Sequence, residues 1–344
     1  MSRLVAIIGD HFMRPHRFAA AFETFANHDL ETRLVELGWP DEPMRQSGAG
    51  TPEAGLAEYV GTQAETAEAV AGAELCVTHL APIGEAVLDA NPQLGFIGVA
   101  RGGPVNIDVD AVTRRGICLV NAPGRNKTAV AEYTIGLMLA ATRRIAAGYH
   151  ALANGRWRGD LYRSDTAGPE LRELTVGLIG WGRIGSLLPA MLAPFGPRVL
   201  VHDPYVKVPD TALAKAVDFD TLIADADIVS LHARCNAANR HMIGQRALAA
   251  MRNHAYLINT ARGDLVDHAA LYSALMAGEI AGCALDTFDA EPLPSDSPLL
   301  ELEQVVATPH IAGASQYTIN RAAAIMADEV GCFLRGDPPH HPVG

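Results

Sequence analysis

The stretch "VGLIGWGRIG", Val176–Gly185, is a short apolar run that ends in three glycines, Gly180, Gly182 and Gly185. In this spacing after a strand, the first glycine permits a tight turn, the second lets a pyrophosphate approach the backbone, and the third lets the following helix pack closely. The N-terminus of that helix then offers unpaired N–H groups and the positive end of its dipole to phosphates. The run therefore predicts a dinucleotide-binding turn, to which we also assign Arg183 and Ile184.

The residues that follow strengthen this prediction. Apolar residues recur at helical spacing, at Ile184, Leu187, Leu188, Met191, Leu192 and Phe195. Pro189 lies inside this predicted helix and is expected to bend it, because proline has no backbone donor. The next strand, "RVLVHD", ends at Asp203, 23 residues after Gly180, where a carboxylate accepts a hydrogen bond from a ribose hydroxyl. Since that carboxylate would repel a 2'-phosphate, NAD is favoured over NADP.

Short Val/Ile/Leu-rich runs alternate with helical patterns along the whole chain, which is typical of a parallel sheet in an α/β fold. A first set covers residues 4–10, 32–37, 74–79 and 96–101, and a second covers 116–123, 175–180, 198–203, 227–232, 255–260, 282–288 and 305–310. Residues 128–152 are predicted to form one long apolar helix, buried in a core or a dimer interface. Residues 40–55 are rich in Pro, Gly and Ser and are predicted to form a surface loop.

Composition narrows the class of protein. The 344 residues carry 27 Lys and Arg against 39 Asp and Glu, a formal charge of −12, which disfavours nucleic acid or an anionic membrane as the main partner. The five cysteines lack CxxC or CxH spacing, so neither a disulfide framework nor a metal site is expected. No run reaches the roughly 20 apolar residues that span a bilayer. We expect a cytoplasmic protein of two domains that acts on a small molecule.

Polar residues stand where the predicted strands of the second set end. Beyond Gly180 and Asp203 these are His232, Arg262, Asp286 with Glu291, and His310. Ligands of open α/β sheets bind at the carboxyl ends of the strands, so we expect these residues to face one crevice. Each could instead be a cap or turn residue. That alternative is weakest for Arg262, which ends an apolar strand and would be costly there without an anionic partner.

Taken in order, the motifs "GLIGWGRIG", "VHDPY", "SLHARCNAANRHMIG", "INTARGDLVD", "ALDTFDAEPL" and "ATPHIAGAS" resemble the D-isomer-specific 2-hydroxyacid dehydrogenases. The resemblance extends over about residues 74–335. It implies an α/β fold of two flavodoxin- or Rossmann-like domains with doubly wound parallel sheets, the NAD domain inserted into the substrate domain. We place the substrate domain at 1–104 and 312–344 and the NAD domain at 105–311. It also implies a homodimer held by the helix at 128–152.

The resemblance further implies a role for each site residue. Arg262 would bind the substrate carboxylate and carbonyl, His310 would be the general acid and base, and Glu291 would orient His310. Asp286 would bond near the nicotinamide amide or, alternatively, cap a loop. His232, Thr260 and Ala261 are assigned to the NAD site. The expected activity is hydride transfer between NAD(H) and a D-2-hydroxy or 2-oxo acid, with a possible phosphorylated or polyhydroxylated tail.

The substrate carboxylate is expected at backbone N–H groups of a glycine loop, which "VARGGPVNID" supplies at Arg101, Gly102 and Gly103. We interpret Arg101 either as a residue that reads the substrate tail or as a salt bridge that shapes the loop. Arg14, His16 and His79 are further candidates, and the role of Arg234 is open. The alternative function is a non-enzymatic NAD-sensing scaffold, like the C-terminal-binding-protein corepressors of this family, although the long extensions of those proteins are not seen here. A formate dehydrogenase is disfavoured because Glu291 stands where that branch has Gln.

Overall fold

The computed structural model describes residues 3–23, 30–39, 45–46, 50–51, 53–209 and 211–343. The chain divides into two compact units, one formed by Met1–Asn126 with Ser315–Gly344 and the other by Lys127–Ala314. The second unit is therefore inserted in the sequence of the first, as the predicted fold class requires.

The first unit is built on a parallel sheet. Its strands in chain order are β1 (Arg3–Gly9), β2 (Leu30–Glu36), the short β3 (Arg45–Gln46) and β4 (Ala57–Tyr59), β5 (Leu75–Thr78), β6 (Phe96–Val99) and β7 (Cys118–Asn121). Five of them form a parallel sheet in the order β2-β1-β5-β6-β7, and β3 pairs with β4 antiparallel. Strands β5 and β6 are buried throughout, which explains their unbroken apolar sequence.

The second unit contains a larger parallel sheet. Its strands are β8 (Thr175–Ile179), β9 (Arg198–His202), β10 (Lys215–Ala216), β11 (Ile228–Leu231), β12 (Tyr256–Asn259), β13 (Gly282–Leu285) and β14 (Val305–Ala307). They lie in the order β10-β9-β8-β11-β12-β13-β14, and every pair is parallel. The order reverses beside β8, and it is at such a switch point that nucleotides bind in doubly wound sheets.

Helices connect the strands of both units. They are α1 (Pro15–Phe22), α2 (Gln63–Ala69), α3 (Glu85–Ala90), α4 (Val109–Arg114), α5 (Lys127–Thr142), α6 (Ile145–Ala153), α7 (Leu188–Leu192), α8 (Phe219–Asp225), α9 (Gln245–Ala250), α10 (His268–Ala277) and α11 (Gln316–Arg335). Helix α11 returns the chain to the first unit and packs against α1. The predicted α/β fold with two parallel-sheet domains is confirmed.

The domain boundary lies further along the chain than the predicted 104/105. Strand β7 was assigned to the second set of strands, but it pairs with β6 and so extends the first sheet. Helix α4 belongs to the same unit, and the first boundary falls at 126/127. The second boundary, at 314/315, is close to the predicted 311/312.

Two helix predictions were wrong in detail. The long helix 128–152 is divided into α5 and α6, because Arg144 adopts a left-handed conformation with φ of 52°. The regular helix after the glycine turn starts only at Leu188. Pro189 cannot donate to the Gly185 carbonyl, so residues 183–187 form turns and the proline occupies the first turn of α7, where no donor is needed. The predicted loop 40–55 lies mostly outside the described residues.

Candidate active site

The glycine turn after β8 has the shape that its sequence predicts. Gly180 has φ of +107°, and a Cβ there would lie 2.7 Å from the carbonyl carbon of His232. A Cβ on Gly185 would lie 2.1 Å from the Gly180 oxygen, so both positions exclude larger residues. A Cβ on Gly182 would meet nothing within 4 Å. The backbone at Gly182 is therefore accessible, and the turn fits a dinucleotide pyrophosphate.

Asp203 joins this turn to the end of β9. Its Oδ2 accepts a hydrogen bond from Trp181 N at 2.7 Å, and its Oδ1 accepts from Tyr205 N at 2.8 Å and Val206 N at 3.0 Å. Burial by itself would raise the pKa of Asp203, but the three N–H donors lower it by more. The pKa of Asp203 therefore lies below its usual value. The group is thus an ionised carboxylate that braces the glycine turn, a role the sequence analysis missed. Its bond to a ribose stays a prediction.

Other predicted cofactor residues lie at the ends of β11 and β12. The His232 Nε2 is 2.9 Å from Ser230 Oγ, and burial lowers the pKa of His232 to about 3, so the ring is neutral. Thr260 is buried and its Oγ1 lies 2.8 Å from Thr134 Oγ1 on α5. Arg183 is exposed and Ile184 half-buried in the glycine turn. These placements keep all four residues in the second unit.

The loop after β12 presents Arg262. The buried Asn259 holds this loop at both ends, since its Nδ2 donates to Arg262 O at 2.8 Å and its Oδ1 accepts from Ala261 N at 3.0 Å. A Cβ on Gly263 would lie 1.8 Å from the Phe288 carbonyl carbon, so the chain passes against the loop after β13. Arg262 is exposed, and among the described residues no carboxylate forms an ion pair with it. Its guanidinium is available for an anion, and Asn259 is a positioning residue that the sequence analysis missed.

His310 and Glu291 form the expected pair. The His310 Nδ1 lies 2.8 Å from Glu291 Oε2, and Glu291 Oε1 accepts from Phe288 N at 2.9 Å, which fixes the carboxylate. The hydrogen bond that His310 donates to Glu291 raises the pKa of His310, although burial and the Arg262 charge oppose this shift. His310 has φ of 53°, a strained conformation for a residue with a side chain. Its Nε2 has no hydrogen-bond partner in the part of the chain that the structure describes.

Asp286 holds the loop that carries His310. Its Oδ1 accepts from Thr308 Oγ1 at 2.6 Å and from Ile311 N at 3.0 Å, and its Oδ2 accepts from Ala312 N at 2.8 Å. These contacts are those of the loop-capping alternative. The contact with the nicotinamide amide stays a prediction.

The first unit contains the predicted substrate loop. Arg101 forms an ion pair with Glu58 and donates from Nη1 to Glu58 O at 3.1 Å, as the salt-bridge interpretation expects. A Cβ on Gly102 or Gly103 would meet nothing within 4 Å, so the backbone there is open. Arg14 is paired with Glu36 at an exposed position, whereas His79 is buried against Asp10. A specificity role for Arg101 stays a prediction.

Known proteins show the same combination of folds. The family model described as "D-isomer specific 2-hydroxyacid dehydrogenase, NAD binding domain" matches residues 135–312. A glyoxylate reductase of Thermofilum pendens is 40% identical over 256 residues, 74% of this chain and 76% of that protein. A D-3-phosphoglycerate dehydrogenase of Archaeoglobus fulgidus is 38% identical over 259 residues, 75% of this chain. The match spans only about half, 48%, of that relative.

Solved structures agree with the sequence relatives. A Thermus thermophilus protein superposes with a TM-score of 0.78 at 30% identity, over 99% of this chain and 100% of that one. The D-lactate dehydrogenase of Lactobacillus jensenii, solved with NAD+, gives a TM-score of 0.77 at 25% identity, over 98% and 99% of the two chains.

The glycine turn and the switch point define a protein of two parallel-sheet units, one of which has a dinucleotide-binding fold. The chain belongs to the D-isomer-specific 2-hydroxyacid dehydrogenase family. The family resemblance of the sequence is thereby confirmed, and the enzyme is favoured over the corepressor-like scaffold, because these relatives are named as dehydrogenases and reductases. Among the described residues no helix is long and apolar enough to cross a membrane.

Proposed function

We propose that this protein transfers hydride between NAD(H) and a D-2-hydroxy or 2-oxo acid, with Arg262, Glu291 and His310 as its catalytic residues. The observation that carries the proposal is the His310–Glu291 hydrogen bond of 2.8 Å, whose histidine pKa is raised and also responds to the Arg262 charge. The three groups thus act on one another within a single unit. A cation and a proton donor together suit the reduction of a 2-oxo acid.

The chemistry of each side chain follows from this arrangement. The planar guanidinium of Arg262 bonds to the substrate carboxylate and polarises the carbonyl next to it. Bound nicotinamide supplies the hydride chemistry. His310 Nε2 donates a proton to the oxygen that becomes the alkoxide, and takes it back in the oxidation. Glu291 keeps the proton of the neutral ring on Nδ1 and stabilises the imidazolium.

Substrate binding is assigned to the first unit and cofactor binding to the second. We assign the substrate carboxylate to the open backbone at Gly102 and Gly103, with Arg101 beside it. In the second unit the glycine turn and Asp203 would bind NAD and disfavour NADP, because the ionised Asp203 repels a 2'-phosphate.

We also propose a homodimer in the cytoplasm. Large apolar side chains are exposed on and after α6, namely Ile145, Tyr149, Leu152, Trp157 and Tyr162. Exposure of that many is unusual for a monomer and suits a subunit interface. All five cysteines are unpaired, which fits a reducing compartment.

A screen of NADH oxidation tests the proposal. The purified protein is mixed with glyoxylate, hydroxypyruvate and phosphohydroxypyruvate, and absorbance at the NADH band is followed. We expect at least one of these 2-oxo acids to be reduced, and the product of hydroxypyruvate or phosphohydroxypyruvate to be the D isomer. Absence of turnover with all of them, in protein that binds NADH, would contradict the proposal.

A further inference from the structure

A hydrogen-bonded series of polar groups, the buried Asp10 and His79 and the half-buried Arg125, lies at one edge of the first sheet. Asp10 follows β1, His79 follows β5 and Arg125 follows β7. The carboxyl ends of parallel strands share an edge, so the fold itself brings these three residues together. The side chains of Asp10 and His79 are 1% and 4% exposed. Nothing in the proposed reaction uses them.

Hydrogen bonds link the three side chains in the order Asp10, His79 and Arg125. Asp10 Oδ1 accepts from Phe12 N at 3.0 Å and Met13 N at 2.8 Å, and Asp10 Oδ2 lies 2.6 Å from His79 Nδ1. Burial lowers the pKa of His79 to about 4, so the ring is neutral at physiological pH. Its Nδ1 therefore donates to Asp10, and its Nε2 accepts from Arg125 Nη2 at 3.2 Å. The histidine fixes one end of the guanidinium.

The remaining donors of Arg125 are not satisfied. Its Nε is buried without a hydrogen-bond partner, and Nη1 has only the Met13 sulfur, at 4.0 Å. Burial lowers the pKa of Arg125 to about 10, and among the described residues no carboxylate forms an ion pair with it. Arg125 is half-buried, and a buried guanidinium nitrogen without a partner is costly unless a ligand supplies the missing acceptor.

A second guanidinium lies nearby on the same edge. Arg101 follows β6, and its carbonyl accepts from Ala122 N at 2.9 Å, three residues before Arg125. The charge of Arg101 also lowers the pKa of Arg125. The backbone of Gly102 and Gly103 next to Arg101 is open. Arg101 is already paired with Glu58, so the unpaired donors are those of Arg125, and together with the open backbone they favour an oxyanion.

We propose that Arg125, oriented by His79 and Asp10 and joined by Arg101, forms an oxyanion subsite for a second acidic group, a carboxylate or a phosphate, on the 2-oxo acid substrate. The identity of the ligand as a substrate rests on the proposed function, whereas the anion site itself does not. A neutral tail would leave the donors of Arg125 unpaired. The subsite therefore selects acidic over neutral 2-oxo acids.

Direct binding of inorganic phosphate tests the site without turnover. The melting temperature and the heat of binding are measured on the whole protein, without NADH, as phosphate is added. We expect saturable stabilisation that Arg125→Met abolishes and that Arg17→Met, at an exposed arginine of α1, retains. Equal stabilisation of the wild type and Arg125→Met, or none in the wild type, would overturn the proposal. If Arg125→Met does not fold, Arg125→Lys serves instead and is expected to weaken binding.

Matched substrate pairs test selectivity. The first pair, phosphohydroxypyruvate and hydroxypyruvate, differs by a phosphate group. The second pair, 2-oxoglutarate and 2-oxopentanoate, differs by a carboxylate group. We expect Arg125→Met to lower kcat/KM about a hundredfold for the preferred acidic member of a pair. For the neutral member kcat/KM should change by no more than about threefold. An equal fall for both members would refute the subsite while leaving the proposed function intact. If the wild type reduces no 2-oxo acid, the proposed function fails and phosphate binding alone decides the subsite.

The orienting role of His79 has its own readout. His79→Leu removes the acceptor of Arg125 Nη2 but keeps the Arg125 charge. We expect KM to rise for the acidic substrate with kcat unchanged, since the variant loses uniform binding. A parallel loss of kcat for acidic and neutral substrates would instead show that His79 is only structural.

Discussion

Two histidine–carboxylate pairs, one in each unit, have a similar geometry and opposite pKa shifts. In the first unit His79 Nδ1 lies 2.6 Å from Asp10 Oδ2, and in the second His310 Nδ1 lies 2.8 Å from Glu291 Oε2. The pKa of His79 is lowered to about 4, chiefly by burial, whereas that of His310 is raised, chiefly by its bond to Glu291. The side chain of His79 is 4% exposed and that of His310 is 34% exposed.

The difference shows that a carboxylate partner does not by itself make a histidine an acid. When burial outweighs the partner, the ring stays neutral and acts as a fixed donor and acceptor. When solvent still reaches the ring, the effect of the partner dominates and the pKa of the histidine is raised. His310 is therefore suited to proton transfer and His79 to holding Arg125.

The largest expected effect comes from removing the proton donor. His310→Gln should lower kcat for 2-oxo acid reduction by about a hundredfold or more, because a general acid contributes about that much. NADH binding, followed by fluorescence titration, should be nearly unchanged. The control His254→Gln changes a histidine paired with Asp227 just before β12, at the opposite end of the strand from Arg262, and should retain full turnover. Wild-type turnover in His310→Gln would refute the assignment.

The second effect concerns Glu291, the carboxylate paired with His310. Glu291 raises the pKa of His310, so the protonated acid survives to higher pH, and Glu291→Gln should move the basic limb of the reduction profile to lower pH. At pH 8 we expect kcat to fall about tenfold. In Asp10→Asn the basic limb for hydroxypyruvate should stay in place, since His79 transfers no proton. A profile for Glu291→Gln that coincides with the wild type would contradict this role.

Substitution of Asp203, the carboxylate at the glycine turn, should have a smaller effect. Its hydrogen bonds among the described residues are to backbone N–H groups and not to a histidine. Asp203→Asn should weaken NADH binding about tenfold and improve the relative use of NADPH, because the repulsive charge is lost. Since Asp203 also accepts from Trp181, Tyr205 and Val206, asparagine is preferred to alanine, and melting temperatures should accompany the KM values. Equal losses for both cofactors would count against a ribose contact.

Much of the fold could be predicted from the sequence, because strands buried on both faces need unbroken apolar runs and the glycine turn needs glycine at fixed positions. The ends of helices were harder. Arg144 breaks the long helix through its own backbone conformation, which no periodicity signals. Strand β7 was assigned to the wrong sheet for a related reason. A run of apolar residues predicts a strand but does not indicate which strands lie beside it.

The candidate site was predicted unevenly. Arg262, Glu291 and His310 stand in motifs and were predicted from them, whereas Asn259 and Arg125 were not singled out. Arg125 lies four residues beyond β7, so inspection of strand ends passed over it. Asp10 did carry a signal, since it ends the apolar run "LVAIIGD" just as Arg262 ends another. The distinction between capping and binding at Asp286 depends on hydrogen bonds, which only the folded chain shows.

The smallest expected effect is on the free energy of unfolding, whose pH dependence should differ in sign between His79 and His310. The pKa of His79 in the folded protein is about 4, below the ordinary 6.5. The neutral ring therefore makes its full contribution to the free energy of unfolding above pH 6.5. That contribution is lost as the pH falls towards 4. Groups facing His79 are Asp10, Arg125 and Arg101, and Asp10 titrates below this window. His79→Leu should flatten the decline of unfolding free energy between pH 6.5 and 4.5 by about 1 kcal/mol per pH unit. His310 contributes with the opposite sign, because its raised pKa stabilises the fold at low pH.

Histidine-selective NMR titration tests the central claim most directly. The ring resonances of His310 and His79 are assigned by comparison with His310→Gln and His79→Leu, and followed from pH 8.5 to 4.5. We predict that His310 titrates above pH 6.5, and below it in Glu291→Gln, while His79 stays neutral with its proton on Nδ1 across most of the range. A His79 that titrates near or above pH 6.5, or a His310 that titrates below it in the wild type, would contradict the account.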